Sequence, residues 1–382
     1  MPLWRDVRVL SWPGQIAVLA AVLLFLFILG RNMVTALEQR GLSLSFRFLQ
    51  LEAGFQIGEG IAYSPSDTYG RAFLVGLVNT LRVSALGIVL ATVLGVIVGV
   101  ARLSNNWLVT RLTGAYIEVI RNTPLLVQLV FWYFAVILKL PRVQDSVTLP
   151  GPIFLHQRGI TIPSLITSPA LSRWALFSAL GLILAIAVGQ ALQRYQIRTG
   201  TTTYPFLSGL AVLVVSIGVG WVLAGRPDIA WDVPQLQRFN FVGGQTLTPE
   251  FSALLIGLVV YTAAFIAEIV RGGILAVPHG QVEAAHALGL SSLQTLRLVI
   301  FPQALRVIIP PLISQYLNLA KNSSLAVVVG YPDLYAVGGT IANQTGQPVP
   351  VIVLIMGTYL SMSLFTALIM NWYNRRVQFV TR

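Results

Sequence analysis

Apolar residues in this chain gather into eight long tracts separated by polar connections, at 16–30, 83–101, 124–138, 174–192, 204–225, 251–267, 304–320 and 351–370. A hydrocarbon core needs about 20 apolar residues per helix, so the pattern predicts eight membrane-spanning helices, the first of them somewhat short. The second tract carries no charge and follows an amphipathic lead-in with Asn79, Thr80 and Arg82. Within it, Gly95 and Gly99 form a Gly-x-x-x-Gly step, extended along the same face by Gly87, that lets a neighbouring helix approach. The seventh tract contains Pro310-Pro311, which removes two backbone donors and predicts a kink.

Between the sixth and seventh tracts lies a stretch too short and too mild to span anything, Glu283-Ala284-Ala285-His286-Ala287-Leu288-Gly289-Leu290. Residues 281–288 favour a short helix of low profile, and Gly289 is suited to end it in the left-handed conformation. Ser291 and Gln294 match a capping box, followed by Leu293, Leu296, Val299 and Ile300 at helical spacing. The pattern predicts two short helices at an angle, the first open to close approach by another surface. A plain connecting loop shortened by alanine and glycine fits the spacing as well.

Composition places the chain in a bilayer: 55% of residues are hydrophobic, 10% are charged and the mean hydropathy is +0.77, against about 25% charged residues in soluble domains. The 382 residues include no cysteine and three histidines, so neither a disulfide framework nor a thiolate metal site is available. The net charge of +12 comes from arginines scattered singly at the borders of apolar tracts, with no basic run interleaved with aromatics, which argues against nucleic acid as a partner.

The basic residues instead set orientation. With the N-terminus inside, inner segments carry Arg5, Arg8, Arg102, Arg111, Arg121, Arg194, Arg198, Arg271, Arg297, Arg306, Arg375, Arg376 and Arg382. Outer segments hold most acids: Glu38, Glu52, Glu59, Asp67, Asp145, Asp228, Asp232, Glu250 and Asp333. Both termini and the stretch around Gly289 are then cytoplasmic. Trp4, Trp12, Trp372 and Tyr373 fit interfacial anchoring. Arg5 and Arg8 before a short apolar run resemble a signal peptide, but no small-x-small cleavage site follows promptly, so an uncleaved anchor is expected.

Enzyme chemistry is largely excluded. The two lysines, Lys139 and Lys321, follow no Gly-x-x-x-x-Gly run, so the chain has no phosphate-binding loop. Glu283 and His286 make a single Glu-x-x-His pair where a di-iron bundle needs two pairs and two further glutamates. No Gly-x-Ser-x-Gly motif is present. The chain is expected to be no enzyme by itself and to need no cofactor.

The stretch from Glu283 through Val299-Ile300-Phe301-Pro302 resembles the EAA loop of ABC importer permeases, with Glu283, Ala284, Ala285, Gly289 and Pro302 in the motif's places and Phe301 where leucine is common. The segments around Glu268 to Ile274, Gly280 to Glu283, 301–325 and 116–128 are similar to the polar amino acid branch, with Asn122 where that branch usually has glycine. The likeness runs from about Tyr69 to the C-terminus, interrupted at 141–250, and the additions look like the longer permeases of general L-amino acid importers. It implies an all-α integral membrane protein: a type I permease core of five helices plus an N-terminal helix and an inserted helix pair. The expected organisation is 1–68, N-terminal helix and periplasmic segment; 69–140, first part of the core; 141–250, inserted loops with two helices; and 251–382, second part of the core with the cytoplasmic coupling loop. The resemblance also implies coupling to ATP hydrolysis on a separate dimer of ATP-binding subunits, a second permease subunit that is a paralogue, a periplasmic amino-acid-binding protein and a bacterial inner membrane location with lipid around it.

An amino acid carries a carboxylate and an ammonium, and each unpaired charge costs several kcal/mol in low dielectric, so a path must supply donors and acceptors. Arg121, Arg271, Lys321 and helix N-terminal amides are candidates for the carboxylate, and Glu118, Glu268, Gln128 and Asn322 for the ammonium. Arg121, Gln128, Glu268, Lys321, Ser323 and Ser324 are the expected path residues. Against this, Arg121 and Arg271 also satisfy the orientation rule, and Glu268 with Arg271 is spaced for an i, i+3 pair. An ion-coupled secondary transporter or channel is the alternative, suggested by the proline pair alone, and a membrane scaffold without transport stays open.

Overall fold

The computed structural model describes residues 7–39, 45–166 and 168–377. Of Arg8, Trp12, Glu38, Tyr373, Arg375 and Arg376 only the backbone is described, and Trp4, Arg5 and Arg382 lie outside the described residues. The first helix is α1 (Val7–Gln39), followed by α2 (Tyr69–Ala101), α3 (Trp107–Asn122) and α4 (Leu125–Val130), which continues through a π turn (Phe131–Val136) and a 3-10 turn (Ile137–Lys139). Next come β1 (Val147–Leu149), β2 (Ile153–His156), β3 (Gly159–Ile162), β4 (Ser164–Leu165), α5 (Pro169–Thr199), α6 (Pro205–Leu223), β5 (Trp231–Asp232), β6 (Gln235–Gln237), β7 (Asn240–Val242) and β8 (Gln245–Leu247). The chain ends with α7 (Pro249–Leu275), α8 (His279–Ala287), α9 (Ser292–Thr295), a π turn (Leu296–Ile300), α10 (Phe301–Asn322), a 3-10 segment (Ser323–Val329), α11 (Leu334–Thr345) and α12 (Pro348–Val377).

Among the described residues seven helices are long and apolar enough to cross a membrane, or eight when one bent pair counts as a span. The protein is an all-α membrane protein in its spanning part. The bent pair corrects the third expected helix: α3 and the 125–139 segment meet at 107°. Proline disfavours helical backbone in the residue before it. Thr123 is accordingly extended (φ −104°, ψ 129°), and the chain turns there before helix resumes at Leu125. At Pro310-Pro311 the expected interruption does not appear as a break, because α10 runs through both prolines. Its departures from α geometry are the π turn before it and the 3-10 segment after it.

The chain divides into two compact units, 1–135 with 253–382, and 136–252. In the first unit α2, α7 and α10 share a core of Ala91, Ala263, Ile266, Val270, Ala304, Ile308, Leu312 and Leu319. The small-residue step on α2 makes that approach possible. A Cβ on Gly95 would fall 2.6 Å from the Ile266 Cβ, and one on Gly99 would fall 2.6 Å from the Ala267 carbonyl oxygen. A second core joins Phe48, Ala53, Tyr69 and Ala72 to Val337, Ile341, Val351 and Ile355, so the segment before α2 is packed on α11 and α12. By contrast, the apolar stretch Pro13–Ala36 of α1 has no buried residue among those whose side chains are described.

The second unit is built on the α5–α6 hairpin. Ser168 caps α5 by accepting from the Leu171 N–H at 3.0 Å, and Gly200 (φ 71°) ends it. The segments on either side of the hairpin, expected as loops, form an antiparallel sheet in the order β1-β2-β3-β8 and two small ribbons, β4-β5 and β6-β7. Long apolar tracts say nothing about strands of a few residues, which declare themselves by alternation as in the buried Gly159 and Thr161 of β3. His156 is buried there, bonded to Thr161 Oγ1 at 2.9 Å and stacked on Phe241.

Candidate coupling bend and translocation path

Between α7 and α10 the chain folds into two short helices at a sharp bend. Pro278 precedes α8, whose nine residues expose Glu283, Ala284 and Ala287 and bury Ala285. The Leu288 N–H donates to Ala284 O at 3.1 Å and the Leu290 N–H to Ala285 O at 3.1 Å, closing the helix end around Gly289 at φ 79°. That conformation is open to glycine at little cost and strains a residue with a Cβ. The capping box forms as expected: the Ser291 N–H donates to Gln294 Oε1 at 2.9 Å, and the Gln294 N–H donates to Ser291 Oγ at 3.4 Å. Pro302 follows the π turn without a break, since Ile300 is helical and the Phe301 N–H donates to Leu296 O, so its missing N–H interrupts the ladder at the widened turn.

Glu283 Oε1 lies 2.9 Å from His279 Nδ1, one turn back, and His286 Nδ1 meets the Leu290 carbonyl oxygen. The i, i+4 spacing of His279 and Glu283 was legible in the sequence. Both side chains are largely exposed, so the pair adds little stability. The stripe starts uncovered and packs only at its end: Leu293 is 74% exposed, as is Leu288 before it at 82%, whereas Val299 and Ile300 are half-buried in a π turn. The bend is thus held rigid by its own backbone bonds and caps while presenting uncovered leucines beside small alanines. Exposed apolar surface of this kind marks a contact site.

Five of the six expected path residues fall into two groups. Arg121 lies on α3 with its guanidinium 5.1 Å from the centre of the Phe265 ring on α7. One turn along α7, Glu268 accepts from Arg271 Nε at 3.1 Å, so its carboxylate is engaged within its own helix. Around the end of α10, Lys321 is exposed and its ammonium has no partner among the described residues. Ser323 is buried and donates to Ala320 O at 2.8 Å, and Ser324 donates to Lys321 O at 2.8 Å.

Gln128 is buried on α4, donating to Ile120 O at 2.9 Å and Thr123 O at 3.0 Å. It ties the carbonyl end of α3 across the 107° bend. Gln128→Leu leaves two carbonyls unpaired and is expected to cost about 1–3 kcal/mol, read as a lower unfolding temperature of the purified protein.

A buried polar knot was missed by sequence reasoning. Asp333, expected as an outer charge, is fully buried. Its Oδ1 accepts from the Ala336 N–H at 2.8 Å as the cap of α11, and its Oδ2 accepts from Tyr359 Oη at 3.2 Å. Thr80 accepts from the Leu334 N–H at 2.9 Å, and Asn79 Nδ2 donates to Pro332 O at 2.9 Å and Glu59 O at 3.0 Å. An aspartate directly before an apolar helical run is the N-cap signal that could have found it.

Burial lifts the Asp333 carboxyl from 3.8 to about 6, the cap bonds opposing the rise. The folded protein therefore holds this proton more tightly than the unfolded chain. The associated stability is complete below pH 3.8 and is lost as pH rises through about 6, on the order of 3 kcal/mol in all. Asp333→Asn keeps a capping oxygen and cannot ionise. Its unfolding temperature is expected to fall less than that of the wild type between about pH 4 and pH 7, and parallel curves would refute the assignment.

Relatives of known sequence complete the picture. Over 378 residues, 97% of this chain and 95% of that protein, the chain is 48% identical to YhdX of Escherichia coli. It is 42% identical over 369 residues to the general L-amino acid transport system permease protein AapQ of Rhizobium johnstonii, covering 96% of this chain and 92% of AapQ. The glutamate/glutamine/aspartate/asparagine transport system permease protein BztB of Rhodobacter capsulatus is 40% identical over 418 residues, covering 99% of this chain and 96% of BztB. Residues 91–379, which take in the bent pair, the coupling bend and every expected path residue, match the model of the binding-protein-dependent transport system inner membrane components, and the chain belongs to that family.

Proposed function

We propose that this protein is the permease subunit of an ATP-driven, binding-protein-dependent importer of L-amino acids, and that Glu283, Ala284, Ala285, Gly289 and Pro302 form the contact through which the ATPase drives it. The observation that carries this reading is the bend at 279–295: internally capped, rigid, and uncovered at Leu288 and Leu293. A stiff element can transmit a displacement that a loop would dissipate. In this reading the core is formed by 69–140 and 251–382, with 1–68 and 141–250 as additions, and both termini face the cytoplasm. The partners are a dimer of ATP-binding subunits, a periplasmic amino-acid-binding protein and a second permease. That second permease is a paralogue, a reading supported by BztB and BztC, both named permease proteins of one transport system in Rhodobacter capsulatus.

Reconstitution into liposomes with and without the ATP-binding subunit tests the proposal. Uptake is expected only with that subunit and ATP; uptake driven by an ion gradient in its absence would overturn it. Among the path candidates, Lys321 lies inside a spanning segment with no partner for its ammonium among the described residues, a placement that calls for an anionic group such as a substrate carboxylate. A hydrogen bond to a charged group contributes about 1.5–3 kcal/mol, so Lys321→Met is expected to lower ATP-driven uptake roughly tenfold or more with assembly unchanged. Normal uptake would remove Lys321 from the path.

A further inference from the structure

Between α5 and α6, toward the connection at 200–204, lies a cavity of about 720 Å³. Its floor is where the two backbones approach at Gly189 and Gly209: a Cβ on Gly209 would fall 3.0 Å from the Ala185 carbonyl oxygen. Its walls are apolar, from Ile186, Phe206, Leu210 and Leu213. Both helices are membrane spans, so the space opens toward lipid. One edge is out of character for such a setting. Gln190, Gln193 and Gln196 line the cavity on successive turns of α5. Gln196 accepts a bond from Thr203 at 3.4 Å, whereas the amides of Gln190 and Gln193 have no partner among the described residues. Gln190 is half-buried and Gln193 exposed at the groove's edge, and an amide without a partner costs several kcal/mol where it faces hydrocarbon, so the two are placed to donate to an acceptor-bearing occupant.

Charge continues the pattern toward the end of the hairpin. Arg194 stands one turn beyond Gln190 and Arg198 one turn further, both exposed, and the sequence holds no Asp or Glu between Asp145 and Asp228 to neutralise them. Long arginine side chains reach along a helix to the headgroup level. An apolar trough, then amides, then two uncompensated guanidinium groups reproduces in order the acyl chain, ester carbonyls and phosphate of a phospholipid.

We propose that this groove is a binding site for an anionic phospholipid, with an acyl chain between α5 and α6, ester oxygens at Gln190 and Gln193, and the headgroup phosphate at Arg194 and Arg198. The site belongs to the 136–252 unit and does not depend on how the protein is coupled to ATP. It gives the inserted hairpin a lipid seat independent of the permease core.

The test uses the intact protein in nanodiscs of mixed phosphatidylglycerol and phosphatidylcholine, each lipid supplied in turn as a photoactivatable analogue, with labelled peptides mapped. The phosphatidylglycerol probe is expected to label 186–213 well above the phosphatidylcholine probe. Each basic residue contributes about a fivefold preference for anionic lipid, so Arg194→Ala with Arg198→Ala is expected to reduce that labelling about 25-fold. Gln190→Leu with Gln193→Leu is expected to reduce labelling by both probes, since it removes the ester contacts and leaves the charge. Equal labelling by the two probes, labelling indifferent to the arginines, or labelling excluded from the groove because a protein subunit fills it would each overturn the assignment.

Discussion

Gly289→Val is expected to abolish ATP-driven uptake while leaving the protein folded in the membrane. Valine would have to adopt φ 79°, a conformation that costs a β-branched residue about 1–2 kcal/mol or more. The space around the position is open, since no atom lies within 4 Å of a Cβ built there, so the penalty is backbone strain and not a clash. The bend relieves it by opening the closure between Ala285 and Leu290. The alanine face of α8 then loses its fixed angle to α9. Glu283→Pro attacks the same element from within. It removes one N–H from a nine-residue helix and costs about 3 kcal/mol, more than so short a helix can sustain alone. Neither residue contributes to the cores that hold the spans together. Membrane insertion and unfolding temperature should therefore stay near wild type, while ATP hydrolysis becomes uncoupled from uptake or the ATPase detaches on purification. Unimpaired ATP-driven uptake in both variants would rule out the coupling role.

The second large effect is expected from Gly99→Leu. Even the first carbon of a side chain there would sit 2.6 Å from the Ala267 carbonyl oxygen and 2.9 Å from the Val270 Cβ. The obstacle includes backbone, so no rotamer relieves it and α7 would have to move away from α2. Overpacking of this kind costs about 1–3 kcal/mol, and more when the backbone resists. The same change at Gly218 on α6, where nothing lies within 4 Å, is expected to be neutral. Thermal unfolding of the detergent-purified variants decides the matter: similar temperatures for the two would refute the close α2–α7 contact.

Residues governed by short-range rules could be read directly from the chain. Spanning tracts are set by the solvent, since a helix in hydrocarbon must be apolar over its whole length. The bend at 279–295 was equally legible, because the left-handed glycine at 289 and the Ser291–Gln294 box depend only on near neighbours in the chain. Even the missed Asp333 cap carried a local signal.

What the sequence left open is whatever depends on partners far along the chain. The Glu268–Arg271 pair was already spaced for in the sequence, whereas it took the folded chain to show that the Lys321 ammonium has no partner among the described residues. The 107° turn at Thr123 follows from Pro124, but that Gln128 locks the turn shows only in the folded chain. Burial of Asp333 required Tyr359 and Thr80 to close on it from separate helices. By itself the sequence determined the membrane setting, the number of apolar tracts and the shape of the exposed bend, because solvent and nearest neighbours act on each residue alone. Only the tertiary structure decided which polar groups are paired, which are buried and which stand free for a ligand, because desolvation and hydrogen bonding depend on where the rest of the chain comes to lie.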